Sequence, residues 1–340
     1  MEPITAVDYH TGGEPFRIVT GGVPEIAGAT VPDRRVTAQH DERIDVVRRL
    51  LCHEPRGHAD MYGCFVTPPD DDGAHFGVLF WHKDGYSTAC GHGTIALGAW
   101  AADTGRVATD PDGTSDVIID VPSGRVVARV TRQGGRTTGV TFRNVPSYVV
   151  ARGIPLQTTR GEAMVDLAWG GALYVSLRAA DVGLSVSLAD HHELTALGRE
   201  VKWALNDSEY ARHPTDDRLS GVYGTILYDD LGDTADGVES GPEQRNVTIY
   251  ADGAVDRSPC GSGTASRVAL LAAEGRLGAH QRLLHHSIVG STFVARVVQH
   301  TTENGYDAVV PEVDGIAYRT GEHTFTLDPH DAIGTGFVLR

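Results

Sequence analysis

The chain has 340 residues, of which 41% are apolar and 22% are charged, as is ordinary for a globular protein. Its formal net charge of −16 excludes a nucleic-acid or anionic-membrane partner, because either would need a basic surface. No apolar run approaches the roughly 20 residues that cross a bilayer, and residues 1–9 have neither the basic nor the apolar segment of a secretory signal. We therefore expect a cytoplasmic protein with reduced cysteines.

Short strands dominate the first half of the chain. Alternating and β-branched residues predict strands at 4–9, 16–20, 61–67, 75–81, 117–121, 125–130 and 137–143. Apolar residues at helical spacing predict a helix over 41–52, with acidic residues in its first turn and arginines in its last. A second helix is predicted from about 91 to 102.

The second half repeats this order of elements. Strands are predicted at 163–169, 172–177, 222–227, 246–251 and through 283–327, and helices at 188–206 and 261–274. The acidic, glycine-rich stretch 229–243 predicts a long loop. No long helix separates most of the strands, so the sheets are predicted to be mainly antiparallel.

These patterns predict an α+β fold of two similar lobes, each a mostly antiparallel sheet around a central helix. Residues 145–160 are rich in breaks at proline and glycine, so we place the lobe boundary at 150. The N-terminal lobe is then 1–150, joined by a returning C-terminal strand at 328–340, and the C-terminal lobe is 151–327. The cleft between the lobes is the expected active site.

One short motif occurs twice, half a chain length apart. Cys90-Gly91-His92-Gly93-Thr94 and Cys260-Gly261-Ser262-Gly263-Thr264 both lead into a predicted helix. A thiol at a helix N-terminus ionises more easily, because the helix dipole is positive there. The first N–H groups of the two helices could also hold a carboxylate, and the glycines let a ligand approach the backbone.

Two thiols that face one anion-binding site suit inversion of a carbon stereocentre. One thiolate removes the Cα proton and the opposite thiol supplies another, while aimed N–H groups stabilise the charge that develops. A structural strand–helix corner and a Cys90–Cys260 disulfide are the alternatives. Cys90 and His92 lack the usual zinc spacing, so no metal is expected, and Cys52 and Cys64 are expected in the core.

Four segments together resemble the proline racemase family, which has a diaminopimelate epimerase-like fold. They are residues 8–15, which match D-x-H-T-x-G-E-P, 53–63, which match H-E-P-R-G-H-x-D-M-F-G except for Tyr62, 90–93, and 256–264, which match D-R-S-P-C-G-T-G-T except for Ser262. The resemblance implies an enzyme without a cofactor that acts on the Cα of proline or hydroxyproline. It leaves a homodimer open.

Carried over by position, the resemblance gives each motif residue a role. Cys90 and Cys260 would be the paired acid and base, and Asp256 and His92 would lie near the substrate ammonium. The backbone at Gly91, His92, Gly261, Ser262, Gly263 and Thr264 would hold the carboxylate.

The same family contains trans-3-hydroxy-L-proline dehydratases, which carry Thr at the second cysteine position. Cys260 therefore favours racemisation or epimerisation, whereas residues 78–90 and 223–227 are closer to the dehydratase branch. Tyr62 and Tyr250 stand where proline racemases have Phe, and two added hydroxyls favour a hydroxylated substrate. A non-catalytic imino-acid-binding protein is the third alternative.

Overall fold

The computed structural model describes residues 2–234 and 240–339. These residues form two compact units, and each unit combines strands with helices, which confirms the predicted α+β class. The first unit contains 1–88, 93–140 and 316–340, and the second contains 89–92 and 141–315. Among the described residues, no helix is long and apolar enough to cross a membrane.

The first unit is a mixed sheet with three helices. Its elements are β1 (Ile4–Thr11), β2 (Glu14–Gly21), α1 (Val31–His40), α2 (Glu42–Cys52), β3 (Gly63–Thr67), β4 (Phe76–His82), β5 (Gly85–Tyr86), most of α3 (Gly91–Asp103), β6 (Thr114–Val121), β7 (Gly124–Gln133), most of β8 (Arg136–Arg143) and β18 (Ala317–Phe325). Strand β1 pairs antiparallel with both β2 and β18, and the two parallel pairs are β2–β3 and β4–β6.

The second unit contains the remaining strands and α-helices. They are β9 (Ser147–Thr158), β10 (Gly161–Trp169), β11 (Leu173–Arg178), α4 (His191–Asn206), β12 (Val222–Asp233), β13 (Pro242–Tyr250), β14 (Ala254–Asp256), α5 (Gly261–Ala273), β15 (Leu283–Ser287), β16 (Thr292–Glu303) and β17 (Tyr306–Gly315). Pairing proceeds from β9 through β10, β11, β12, β13, β15, β16 and β17 and returns to β9, so the strands close into a ring.

Helix α5 lies against the strands of this ring and is buried on every side. Residues Gly261–Leu271 are all buried, and the helix contacts β9, β10, β11, β16 and β17. A helix that is apolar or small all round is the kind that a core encloses. Its N-terminus therefore opens inside the second unit, where Cys260 precedes it.

Several element boundaries differ from the sequence-based prediction. Residues 147–150 belong to β9, which pairs with β10 and β17, and the compact units divide at 140/141. The strand that returns to the first unit is β18, while residues 328–339 contain turns and one bridge, Glu54 to Phe337.

Two further elements correct the prediction. Helix α1 was not predicted, because only Val31, Arg34 and Ala38 are buried and its apolar period is weak; a capping box between Thr30 and Asp33 marks its start. The predicted loop at 229–243 is wrong at both ends, since β12 and β13 extend as a hairpin to Asp233 and from Pro242. Residues 235–239 of that prediction lie outside the described part of the chain.

Candidate active site

Both motif cysteines stand immediately before a helix, as predicted. Cys90 precedes α3, and Cys260 is the N-cap residue of α5. Cys260 has a φ of +62°, a conformation that residues other than glycine seldom adopt. Its N–H donates to Ser258 Oγ at 3.0 Å, and Ser258 Oγ donates to Asp256 Oδ1 at 2.7 Å. The Asp256–Ser258 pair thus fixes the strained turn from one side.

The other side of this turn is held from within α5. The Thr264 hydroxyl donates to the Pro259 carbonyl at 3.1 Å, and His285 Nδ1 lies 2.8 Å from the same hydroxyl oxygen. Asn246 Nδ2 donates to the Pro259 carbonyl as well, at 3.1 Å. The Thr264 N–H also donates to the Cys260 carbonyl at 2.6 Å, so the hydroxyl and the backbone donor of Thr264 both hold this turn.

The two helix starts meet at a pair of glycines. A Cβ atom placed on Gly91 would lie 2.5 Å from Gly261 Cα, and one placed on Gly261 would lie 2.6 Å from Gly91 Cα. Only glycine at both positions permits this approach. The contact is also the reason why residues 89–92 group with the second unit, whereas the sequence placed Cys90 in the N-terminal lobe.

Cys260 lies in a small apolar cluster. Ala89, Ala172, Tyr174 and Ile226 are its buried neighbours there. Burial raises the pKa of the Cys260 thiol well above its usual range, and the negative charge of Asp256 raises it further. Hydrogen bonds from Tyr174, the Gly263 N–H and Thr248 act in the opposite direction.

The imidazole of His92 lies between Cys90 and Asp256. Cys90 Sγ is 3.6 Å from each of the two ring nitrogens, and His92 Nδ1 is 3.8 Å from Asp256 Oδ2. Burial lowers the pKa of His92 below its usual 6.5, and the neighbouring Asp256 only partly opposes this. His92 is therefore neutral at pH 7 and can accept as well as donate a hydrogen bond.

Three tyrosines of the second unit form a row that ends at Cys260. Tyr250 stacks on Tyr223 with ring centroids 5.8 Å apart, and Tyr223 meets Tyr174 edge to face at 5.5 Å. The Tyr174 hydroxyl lies 2.6 Å from Ser262 Oγ and 3.7 Å from Cys260 Sγ. Neither Tyr174 nor Tyr223 was predicted as a site residue.

Tyr62, the other predicted ring neighbour, belongs to the first unit. Its side chain is buried, and its hydroxyl lies 2.5 Å from Ser87 Oγ. The second unit therefore assembles ten of the eleven predicted site residues, which are Cys90, Gly91, His92, Tyr250, Asp256, Cys260, Gly261, Ser262, Gly263 and Thr264.

The two remaining thiols, Cys52 and Cys64, lie apart from the candidate site. Cys52 and Cys64 are fully buried in the core, as predicted, and all four cysteines are free. Within residues 2–234 and 240–339, no group of three or more histidine, cysteine or acidic side chains is arranged to hold a metal ion.

The sequence and the fold both match known proteins. A family model described as proline racemase matches residues 6–338. The trans-3-hydroxy-L-proline dehydratase of Bacillus cereus is 42% identical and is covered over 98% of both chains. The 3-hydroxyproline 2-epimerase of Burkholderia multivorans is 41% identical over 99% of this chain and 98% of the relative.

Solved structures agree with these relatives. A hydroxyproline epimerase from Agrobacterium vitis, solved with bound trans-4-hydroxy-L-proline, has a TM-score of 0.91 at 30% identity and covers 99% of this chain and 96% of its own. A PhzF-family protein from Bacillus anthracis has a TM-score of 0.56 at 11% identity, over 96% of this chain and 100% of its own, which is a likeness of fold alone.

Proposed function

The chain belongs to the proline racemase family, and we propose that it inverts the Cα of a hydroxylated proline with Cys90 and Cys260 as paired acid and base. One observation carries this proposal. The two residues that follow the cysteines, Gly91 and Gly261, touch through their backbones, so two thiols and two helix N-termini converge on one place.

The proposed cycle needs only groups of this chain and the substrate. In the proposal, N–H groups at the starts of α3 and α5 hold the carboxylate, because the helix dipole is positive there. One thiolate takes the Cα proton and becomes a thiol, and the electron pair spreads into the bound carboxylate. The opposite thiol then gives its proton to the other face of Cα and becomes the thiolate. The reverse reaction starts from this second protonation state.

Asp256 and His92 suit the substrate nitrogen. The Asp256 carboxylate would pair with the ammonium, and neutral His92 would accept one of its protons in a hydrogen bond. A positive ammonium beside Asp256 would also offset the charge that now disfavours the Cys260 thiolate. Substrate binding would thereby prepare Cys260 to act as a base.

A ring hydroxyl on the substrate is favoured by the relatives. Several of those at about 40% identity are named for 3-hydroxyproline, and the Agrobacterium vitis structure holds trans-4-hydroxy-L-proline. Tyr62 supports this less than the sequence suggested, because its hydroxyl already contacts Ser87. In the proposal, the Tyr250 side chain lies beside the ring of the substrate.

A second candidate function is trans-3-hydroxy-L-proline dehydratase, which is favoured by the names of several relatives. The first step would be the same removal of the Cα proton by a thiolate. The C3–O bond would then break, and the hydroxyl would leave as water with a proton from the opposite thiol. The remaining enamine would tautomerise to a cyclic imine.

A substrate panel in D2O tests both functions. We expect trans-3-hydroxy-L-proline or trans-4-hydroxy-L-proline to exchange its Cα proton for deuterium, measured by NMR, faster than L-proline does. An inverted product supports epimerisation, while an imine that reacts with o-aminobenzaldehyde supports dehydration. Cys90→Ala and Cys260→Ala should each abolish turnover, whereas Cys52→Ala, which removes a core thiol, should not.

Two results would overturn the proposal. Binding of these prolines without any Cα exchange would leave an imino-acid-binding protein. Full turnover by Cys260→Ala would rule out the two-thiol mechanism.

A further inference from the structure

The Tyr174 hydroxyl is the polar group of the aromatic row that reaches Cys260. Tyr174 lies on β11, is fully buried and packs in the same apolar cluster as Cys260. Its oxygen lies between two hydroxyl or thiol partners, Ser262 Oγ at 2.6 Å and Cys260 Sγ at 3.7 Å. Cys260, Tyr174 and Ser262 therefore form a continuous chain of hydrogen-bonding groups.

Each group in this chain can donate one hydrogen bond and also accept one. When Cys260 is a thiol, its S–H can donate to the Tyr174 oxygen, and the Tyr174 O–H can donate to Ser262. When Cys260 is a thiolate, Ser262 can donate to Tyr174 and Tyr174 to the sulfur. The change from one arrangement to the other needs only rotation of two hydroxyl groups, with no proton transferred among them.

We infer that Tyr174 is a positioning residue for Cys260, and that the chain Cys260–Tyr174–Ser262 reverses its hydrogen-bond direction each time the thiol gains or loses its proton. This inference rests on the proposed function, in which Cys260 must act in both protonation states. It goes further by assigning a role to a residue outside the four segments that resemble the family.

The surroundings of Cys260 explain why such a donor is needed. Cys260 is 4% exposed, and the Asp256 carboxylate lies near its sulfur, so burial and charge both favour the thiol. A hydrogen bond to an ionised group is roughly twice as strong as one between neutral groups. A donor that becomes available only when the thiolate forms stabilises that state without weakening the thiol.

The two thiols are therefore supported by different groups. Cys90 lies against the His92 imidazole, with 3.6 Å to both ring nitrogens, whereas Cys260 lies against a phenol. A change at Tyr174 should alter the reactivity of Cys260 and leave that of Cys90 in place. This difference lets one thiol serve as an internal control for the other.

Thiol alkylation measures the effect without any substrate. The probe is iodoacetamide at one fixed pH, and mass spectrometry of peptides reports the rates at Cys260 and Cys90 separately. Because only the thiolate reacts, Tyr174→Phe should slow alkylation of Cys260 by about tenfold, while Cys90 keeps its rate. Tyr148→Phe is the matched control, since it removes a buried hydroxyl, bonded to Asn304, elsewhere in the second unit.

Ser262 provides a second arm that leaves the tyrosine in place. Ser262→Ala removes the donor behind Tyr174, so alkylation of Cys260 should slow by a smaller factor, about threefold. Ser262→Thr keeps a hydroxyl and should restore the rate. The pH profile of kcat/KM should shift upward in Tyr174→Phe by about one unit, which a loss of packing alone would not produce.

The inference is overturned if Cys260 in Tyr174→Phe is alkylated at the wild-type rate, or if Cys90 slows by the same factor. These outcomes are separate from those of the proposed function. An inactive wild-type protein whose Cys260 still slows in Tyr174→Phe would refute the epimerase and keep the hydrogen-bond chain. An active enzyme with no change in alkylation would do the reverse.

Discussion

The contact between Gly91 and Gly261 makes the sharpest prediction. In Gly91→Ala the new methyl carbon would lie 2.5 Å from Gly261 Cα, and the obstacle is backbone. Unbonded carbons pack at about 3.5–4.0 Å, so the two helix starts must separate by about 1 Å or more. Overpacking of this kind costs about 1–3 kcal/mol of stability.

The effect on activity should exceed the effect on folding. A displacement of about 1 Å between reacting groups can slow a reaction by about 100-fold. We therefore expect Gly91→Ala to remain folded, with a free energy of unfolding about 1–3 kcal/mol lower in urea titrations, and to exchange the substrate Cα proton about 100-fold more slowly. Gly261→Ala should behave alike, because its Cβ would lie 2.6 Å from Gly91 Cα.

Gly139→Ala is the control for this experiment. It lies on β8, its added Cβ would meet nothing within 4 Å, and its backbone does not require glycine. It should retain wild-type exchange and stability. If Gly91→Ala kept exchange within about threefold of wild type, the close approach of the two helix starts would have no part in catalysis.

Three more predictions follow from the polar groups Asp256, His285 and Thr30. In Asp256→Asn, loss of the charge that raises the pKa of Cys260 should speed iodoacetamide alkylation of that thiol about tenfold at fixed pH. Burial holds the pKa of His285 well below its usual 6.5, so the unfolded chain takes up a proton below pH 6.5 that the folded chain does not. The contribution of neutral His285 to the free energy of unfolding is complete above pH 6.5. Below pH 6.5 it decreases by up to about 1.4 kcal/mol per pH unit, and His285→Asn should reduce this slope. Thr30→Ala, which removes the cap of α1, should lower the free energy of unfolding by about 1 kcal/mol.

Each of these has a result that contradicts it. Asp252→Asn, at an exposed carboxylate bonded to Arg199, should leave alkylation of Cys260 unchanged; an equal effect would point to net charge alone. An unchanged acid slope in His285→Asn, compared with the exposed His300→Asn, would mean that other groups cause the acid sensitivity. For Thr30→Ala, a loss below about 0.3 kcal/mol would show that the cap is dispensable.

The sequence predicts the candidate site best where a reactive residue and the start of a helix lie within one short motif. The repeated Cys-Gly-x-Gly-Thr motif located both helix starts, and α5 was predicted at 261–274 and observed at Gly261–Ala273. Each cysteine and its glycines lie within a few positions of one another at a strand–helix junction, so a single sequence shows them together. The contact of Gly91 with Gly261 explains why each cysteine is followed by a glycine.

Tyr174 and His285 could not be found in this way. Tyr174 reaches Cys260 because β11 pairs parallel with β12, and His285 reaches Thr264 because β15 pairs parallel with β13. Parallel pairs join strands that are far apart in the chain. The periodicity of apolar residues shows only which face of a strand is buried, not which strand pairs with it. The outer ends of β12 and β13 were not predicted, because their paired residues, such as Asp233, are acidic and exposed and therefore resemble a loop in sequence.

The division of helix α3 has a consequence for how this protein could be taken apart. Its first residues, with Cys90, group with the second unit, and from Gly93 onward it groups with the first. A fragment that spans residues 141–315 would therefore lack one of the two thiols, and a fragment without those residues would lack the other. Although the sequence pattern is duplicated, separating residues 141–315 from the rest of the chain places the two cysteines on different fragments. Split versions, domain exchange between relatives and circular permutants should all be designed to leave α3 intact.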